Sequence, residues 1–88
     1  MALPRLLLID DEPALAAFVA KGADMCGFEP DIAEQDQQFR DLFKANRPHM
    51  VALDLGMRGM DGVELLRVPA TEEFKEPVLI ISGFDRRV

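Results

Sequence analysis

The sequence predicts an α/β fold, in which helices cover both faces of a parallel sheet. Three short aliphatic runs of strand length lie at residues 6–9, 50–53 and 78–81. They contain no polar alternation, which is typical of strands covered on both faces. Segments with helical spacing of apolar residues separate these runs, and the resulting alternation requires right-handed crossovers between parallel strands. We therefore expect residues 1–88 to form one domain with strand order 2-1-3-4.

The first helix is predicted from the segment EPALAAFVAKGADMCGF, which follows the first strand. Pro13 is tolerated in a first helical turn, and Gly27 favours the end of the helix. Helical spacing predicts one face that packs on the sheet, formed by Leu15, Phe18, Val19 and Ala23. A weaker strand at residues 30–33 is expected to follow this helix.

The second helix is predicted from QDQQFRDLFKANRP, whose apolar residues at helical spacing are Phe39, Leu42 and Phe43. Asn46 and Pro48 favour its end. After the third strand, a loop is indicated by Gly59, Asp61 and Gly62. A short third helix is then expected from Val63, Leu65 and Leu66, and Pro69 is expected to end it early.

Composition limits the classes of function. The net charge of −6 argues against nonspecific binding of nucleic acid through a basic surface. No apolar run is long enough for a membrane span or for the core of a signal peptide. The single cysteine, Cys26, cannot form an internal disulfide, which agrees with a reducing compartment. We therefore expect a cytoplasmic protein without membrane or direct nucleic-acid contacts.

Polar side chains follow the aliphatic strands at their carboxyl ends. Asp10 and Asp11 follow the first strand, Asp54 follows the third and Ser82 the fourth. In open parallel sheets, ligands bind beyond these ends, where the strand order reverses, here between the first and third strands. Converging carboxylates repel one another unless a hard divalent cation compensates their charge. The pattern therefore predicts a Mg²⁺ site.

Each of these residues also has a purely structural interpretation. The acidic residues before Pro13 can cap the first helix, and for Glu12 we favour this role. Asp54 and Ser82 can be turn residues at strand ends, although an unpaired carboxylate after an aliphatic strand is costly without a ligand. Structural roles without ligands are also expected for Cys26, His49, Met57 and Met60.

The segments LLLIDDEP, VALDLGMRGMDGVELL and VLIISG resemble the receiver domains of two-component response regulators. The resemblance implies a flavodoxin-like fold in which Asp54 accepts a phosphoryl group from a histidine kinase, a phosphotransfer protein or a small donor. It further implies that Asp11, Asp54 and the Gly56 carbonyl bind Mg²⁺ directly, with Asp10 acting through water. Ser82 would contact the phosphoryl group. The domain would be a signalling switch for an effector or output domain rather than an enzyme acting on other substrates.

The sequence departs from the family pattern in two places. Arg58 stands where the family usually has proline, which makes the loop after Asp54 less rigid. The family's fifth strand, its last helices and a strand-end lysine are expected to be absent from this chain. The predicted strand 78–81 would then lie at a sheet edge, and we expect a homodimer through it.

Two alternatives to the phosphoacceptor interpretation stay open. A pseudo-receiver would keep the fold as a protein-interaction module without phosphorylation. A hydrolase of the haloacid dehalogenase type is less favoured, because its nucleophile would lie in a D-x-D pattern after the first strand, whereas Asp10 and Asp11 are adjacent.

Overall fold

The computed structural model describes residues 3–57 and 59–81. In this part of the chain, parallel strands β1 (Arg5–Ile9), β2 (Glu29–Ala33), β3 (Met50–Asp54) and β4 (Val78–Ile81) form one sheet. Its order is β2-β1-β3-β4, which confirms the predicted topology. The connecting helices are α1 (Pro13–Met25), α2 (Asp36–Asn46), α3 (Gly62–Leu65) and α4 (Arg67–Thr71). None of the described helices is long and apolar enough to cross a bilayer.

The register of the central strands brings their carboxyl ends together. Ile9 of β1 pairs with Leu53 of β3, so the next residues along the chain, Asp10 and Asp54, lie side by side at the carboxyl ends of the two strands. On its other side, β3 pairs with β4, with Asp54 opposite Ile81. The reversal of strand order between β1 and β3 therefore lies next to both aspartates.

Alternate residues of the buried strands contribute to a separate core on each face of the sheet. Leu7 and Ile9 pack with Phe39 and Phe43 of α2 and with the α3–α4 segment. Leu6 and Leu8 pack on the other face with α1. Because both faces of β1 and β3 are covered, these two strands need aliphatic residues at every position, which explains why their runs lack alternation.

The prediction that Phe18 lies on the face of α1 that packs on the sheet is wrong. Phe18 is 75% exposed, whereas Ala16 and Ala23 are buried against the sheet and Val19 is partly buried there. Residues 16, 19 and 23 share one helical face, and two of them are alanines that let the helix backbone approach the strands closely. The contact is therefore determined by small side chains rather than by Phe18.

The segment after the third strand also differs from the prediction. The chain forms two short helices, α3 and α4, which meet at Leu66, and Pro69 lies inside α4 rather than ending the helical segment. Pro69 has no N–H to donate to the carbonyl of Leu65, so a continuous helix is interrupted before the proline. Within α4 it occupies the first turn, where a missing donor is tolerated. The buried residues Leu65 and Val68 anchor the two helices to the core.

Candidate functional site

The carboxyl ends of β1 and β3 bring together the three aspartates predicted for a metal site. One carboxylate oxygen of each of Asp10, Asp11 and Asp54 lies within 4.8 Å of the others. Asp10 is fully buried and Asp54 is 7% exposed, whereas Asp11 is open to solvent. The cluster therefore has a buried base and one open side, through which a small ion or an anionic group can enter.

Asp10 is held rigidly at the base of this cluster. Its backbone N–H donates to the carbonyl of Ala33 at 3.2 Å, and its Oδ1 accepts from the backbone N–H of Glu12 at 2.9 Å. Its Oδ2 is buried and has no hydrogen-bond partner in the described part of the chain. A buried acceptor without a donor is unfavourable, and a cation bound from outside the protein would compensate it.

The electrostatics of Asp10 support the same conclusion. Burial raises the pKa of the Asp10 carboxyl to about 6, and the negative charges of Asp54 and Asp11 add to this effect. The hydrogen bond from the Glu12 N–H acts in the opposite direction but is outweighed. The folded protein therefore disfavours the ionised form of Asp10, compared with an exposed aspartate.

Asp54 ends the central strand β3 and is fixed by its own loop. Its Oδ1 accepts a hydrogen bond from the backbone N–H of Gly56 at 2.8 Å. This bond orients the carboxylate through the backbone of the loop. Gly56 itself is exposed, and the predicted role of its carbonyl as a metal ligand stays a prediction.

The structural interpretation of Glu12 is confirmed. It is the N-cap of α1, and its Oε1 accepts from the backbone N–H of Ala14 at 3.2 Å. Of the acidic triplet after β1, Glu12 therefore caps the helix, while Asp10 and Asp11 belong to the carboxylate cluster.

Asp61 has a role that the sequence analysis did not assign. Its Oδ1 accepts from the backbone N–H groups of Val63 at 3.0 Å and Glu64 at 3.3 Å, which caps α3. An aspartate directly before an apolar helical segment is a cap signal, so this role could have been found from the sequence. Met57 is buried and Met60 partly buried against the core, as expected for packing residues of this loop.

The remaining predicted residues lie away from the described site or outside the described residues. His49 lies before β3, and its Nδ1 accepts from the backbone N–H of Arg5 at 2.9 Å. Cys26 is an exposed residue at the end of α1. Ser82 and Arg58 lie outside the described residues.

Solved structures with the same architecture include a receiver domain of a response regulator. The receiver domain of the Francisella response regulator 1452 matches with a TM-score of 0.80 and 25% identity, covering 96% of this chain and 69% of that chain. The chemotaxis protein CheY4 of Vibrio cholerae matches with a TM-score of 0.84 and 20% identity, covering 98% and 73%. At that identity, the second match establishes similarity of fold alone.

Curated relatives are longer proteins. The regulatory protein AtoC of Escherichia coli is 28% identical over 83 residues, covering 94% of this chain and 18% of AtoC. The transcriptional regulatory protein QseB of Escherichia coli O157:H7 is 33% identical over 81 residues, covering 92% and 37%. This chain therefore spans well under half the length of these relatives.

The sequence profile of the response regulator receiver domain matches residues 6–87, nearly the whole chain. The match includes both acidic strand ends and the loop after β3, whose geometry is described above. The strand order, the carboxylate cluster and this profile agree, and the chain belongs to the response regulator receiver domain family of two-component systems.

Proposed function

We propose that this domain accepts a phosphoryl group on Asp54 in a Mg²⁺-dependent reaction that it catalyses itself. The donor would be the phosphohistidine of a sensor histidine kinase or of a phosphotransfer protein. The observation that carries the proposal is the convergence of three carboxylates within 4.8 Å, with Asp54 at the end of the central strand. A strand-end carboxylate in a partly open acidic cluster is suited to act as an oxygen nucleophile.

The residues of the cluster fit a magnesium ion. Carboxylate oxygens are hard ligands of the kind that Mg²⁺ prefers, and the buried Asp10 Oδ2 lacks a donor in the described residues. Asp10, Asp11, Asp54 and the Gly56 carbonyl would hold the ion. When bound, the ion supplies positive charge that offsets the repulsion among the carboxylates and the charge of an incoming phosphoryl group.

In the proposed reaction, a carboxylate oxygen of Asp54 attacks the phosphorus atom of the donor. A new P–O bond forms while the P–N bond of phosphohistidine breaks, and the electron pair of that bond stays on the imidazole nitrogen. The product is an acyl phosphate on Asp54. The Gly56 N–H orients the nucleophile through its bond to Oδ1, and the Ser82 hydroxyl would donate to a phosphoryl oxygen.

Phosphorylation would then act as a switch. The product adds about two negative charges and new acceptor oxygens at the strand ends. Rearrangement of the neighbouring loops around this charge would be sensed by an effector protein or an output domain. The domain would change only its own phosphorylation state, in the cytoplasm, and would not act as an enzyme on other substrates.

The test is incubation with acetyl phosphate and Mg²⁺, followed by mass spectrometry. We expect one added phosphoryl group that is labile to hydroxylamine, and its complete loss in Asp54→Ala. Asp41→Ala is a matched control, because Asp41 is an exposed aspartate on α2, outside the carboxylate cluster. Modification that persists in Asp54→Ala would show that Asp54 is not the nucleophile. An unmodified wild type would favour the interaction-module alternative.

Exposed apolar side chains on β4 support the alternative function as a protein-interaction module. Leu79 is 53% exposed and Ile80 is 40% exposed, on opposite faces of the strand, and β4 pairs only with β3 among the described residues. An apolar edge strand tends to pair with another strand. We expect two copies to associate through β4, with a concentration-dependent mass in sedimentation equilibrium. A monomer across the micromolar range would contradict this expectation.

A further inference from the structure

Gly62 approaches the end of β3 so closely that an added Cβ would require its neighbours to shift. It is the buried first residue of α3, and an added Cβ would lie 3.0 Å from the Asp54 carbonyl oxygen, from Leu55 Cα and from Leu55 Cδ2. Optimal contacts between carbon atoms are longer, at about 3.5–4.0 Å. The start of α3 therefore lies directly against the backbone that carries Asp54.

Neither partner in this contact can move away easily. The backbone N–H of Leu55 donates to the carbonyl of Ile81 at 3.0 Å, which holds the end of β3 against β4. On the other side, Asp61 caps α3, and Leu65 is 1% exposed in the core. A side chain at residue 62 would therefore have to shift either the start of α3 or the end of β3 by a few tenths of an ångström.

Displacement of β3 would reach the carboxylate of Asp54. The same residue provides the carbonyl oxygen that Gly62 approaches and the side chain whose Oδ1 accepts from Gly56 at 2.8 Å. The loop from Asp54 to Gly62 is thus closed at one end by the Gly56 hydrogen bond and at the other by the close approach of Gly62. We propose that Gly62 is a positioning residue for the phosphoacceptor, an inference that rests on the proposed function of Asp54.

The test compares Gly62→Ala with Gly22→Ala. Gly22 lies within α1 and has no atom within 4 Å of an added Cβ, so its substitution controls for the change from glycine to alanine. A small displacement of a reacting group can slow a reaction strongly, so we expect Gly62→Ala to react with acetyl phosphate about tenfold more slowly, or worse, with Gly22→Ala within about twofold of wild type. We also expect Gly62→Ala to need more Mg²⁺ for half-maximal thermal stabilisation.

The outcomes separate this inference from the proposed function. If Gly62→Ala is less stable but keeps the wild-type rate per folded molecule and the wild-type Mg²⁺ midpoint, the contact is only structural and the positioning role is wrong. If wild type itself is not phosphorylated, the proposed function fails. The Mg²⁺ midpoint then still decides whether Gly62 positions the carboxylates, because an unchanged midpoint would overturn that role.

A double variant covers the case in which Gly62→Ala folds poorly. Leu55→Ala removes Cδ2, which is one of the three close atoms, while the contacts with the Asp54 oxygen and Leu55 Cα stay. We expect Leu55→Ala/Gly62→Ala to recover folded protein but to remain slow relative to Leu55→Ala alone. A rate equal to that of Leu55→Ala would show that the backbone approach does not position Asp54, and would overturn the proposal.

Discussion

At the amino-terminal end of the sheet, the polar groups that join the strands are paired with one another. Arg5 of β1 donates through Nη1 to both carboxylate oxygens of Asp31 on β2, at 3.0 and 3.2 Å. The backbone N–H of Arg5 donates to His49 Nδ1, and the backbone N–H of His49 donates to the Arg5 carbonyl. These contacts cross from β1 to both of its neighbours, and opposite charges meet there.

At the carboxyl end of the same strands, like charges meet instead. Three carboxylates converge, Asp10 Oδ2 is buried without a partner in the described residues, and the pKa of Asp10 is raised to about 6. Both ends are built on the same central strands, so the difference comes from side-chain chemistry and not from the fold. Local unfavourable interactions are expected where a site is preorganised for a ligand, and stability is lost there in exchange for binding.

The largest expected effect at the carboxyl end is the removal of the buried charge by Asp10→Asn. A pKa raised from 3.8 to about 6 corresponds to about 3 kcal/mol of stability. Because the folded state binds the proton more tightly than the unfolded state, this stability is present below about pH 4 and is lost as the pH rises through about 6. Urea unfolding in EDTA should therefore show the variant more stable than wild type at pH 7.5, by up to this amount.

The pH series contains its own control. The difference between Asp10→Asn and wild type should become small near pH 4 and disappear below the unfolded-state pKa of 3.8, where the wild-type carboxyl is protonated in both states. Asp41→Asn removes an exposed carboxylate and should show no such pH-dependent difference. A variant that is less stable than wild type at pH 7.5 in EDTA would show that the ionised Asp10 carboxylate does not destabilise the folded state.

A smaller effect is expected from Mg²⁺ itself. At ten times its dissociation constant, a ligand that binds only the folded state stabilises it by about 1.4 kcal/mol. We expect this gain in wild-type protein and its loss in Asp11→Asn, measured by thermal unfolding at equal ionic strength. Asp31→Asn, in the middle of β2 and outside the carboxylate cluster, should keep the gain. Equal melting temperatures of wild type in Mg²⁺ and in EDTA would rule out a metal site.

The smallest effect is expected from breaking a pair at the amino-terminal end. The Arg5 and Asp31 side chains are 37% and 22% exposed, so solvent weakens their interaction. Asp31→Asn should reduce stability by less than about 1 kcal/mol. It should leave the rate of phosphorylation by acetyl phosphate unchanged, as measured by mass spectrometry over time. A slower reaction would mean that the two ends of the sheet are coupled.

The topology and the acidic cluster could be predicted because each depends on a local pattern. Uninterrupted aliphatic runs identify buried strands, and the strand order then brings Asp10 and Asp54 together without further information. The orientation of α1 could not be predicted in this way, because its sequence allows two overlapping apolar faces. The face with Ala16 and Ala23 contacts the sheet, and that choice depends on how closely the helix approaches the strands.

The details of the site that could not be predicted from the sequence are interactions of the backbone. The Gly56 N–H that orients Asp54 and the close approach of Gly62 both depend on the path of the loop after β3. Gly62 could be assigned only to a loop, because no spacing rule distinguishes a glycine that permits close contact from one that permits a turn. The expected roles of Ser82 and Arg58 stay predictions, since both lie outside the described residues.

The position of β1 and β3 inside the sheet has a consequence for amide hydrogen exchange. Each of these strands is paired on both sides, and their central side chains are fully buried. Their amides should be among the slowest to exchange, opening only when the whole domain unfolds, whereas the amides of the loop after Asp54 should exchange through local opening. The buried carboxylates of Asp10 and Asp54 therefore lie directly beside the part of the domain that is expected to exchange most slowly.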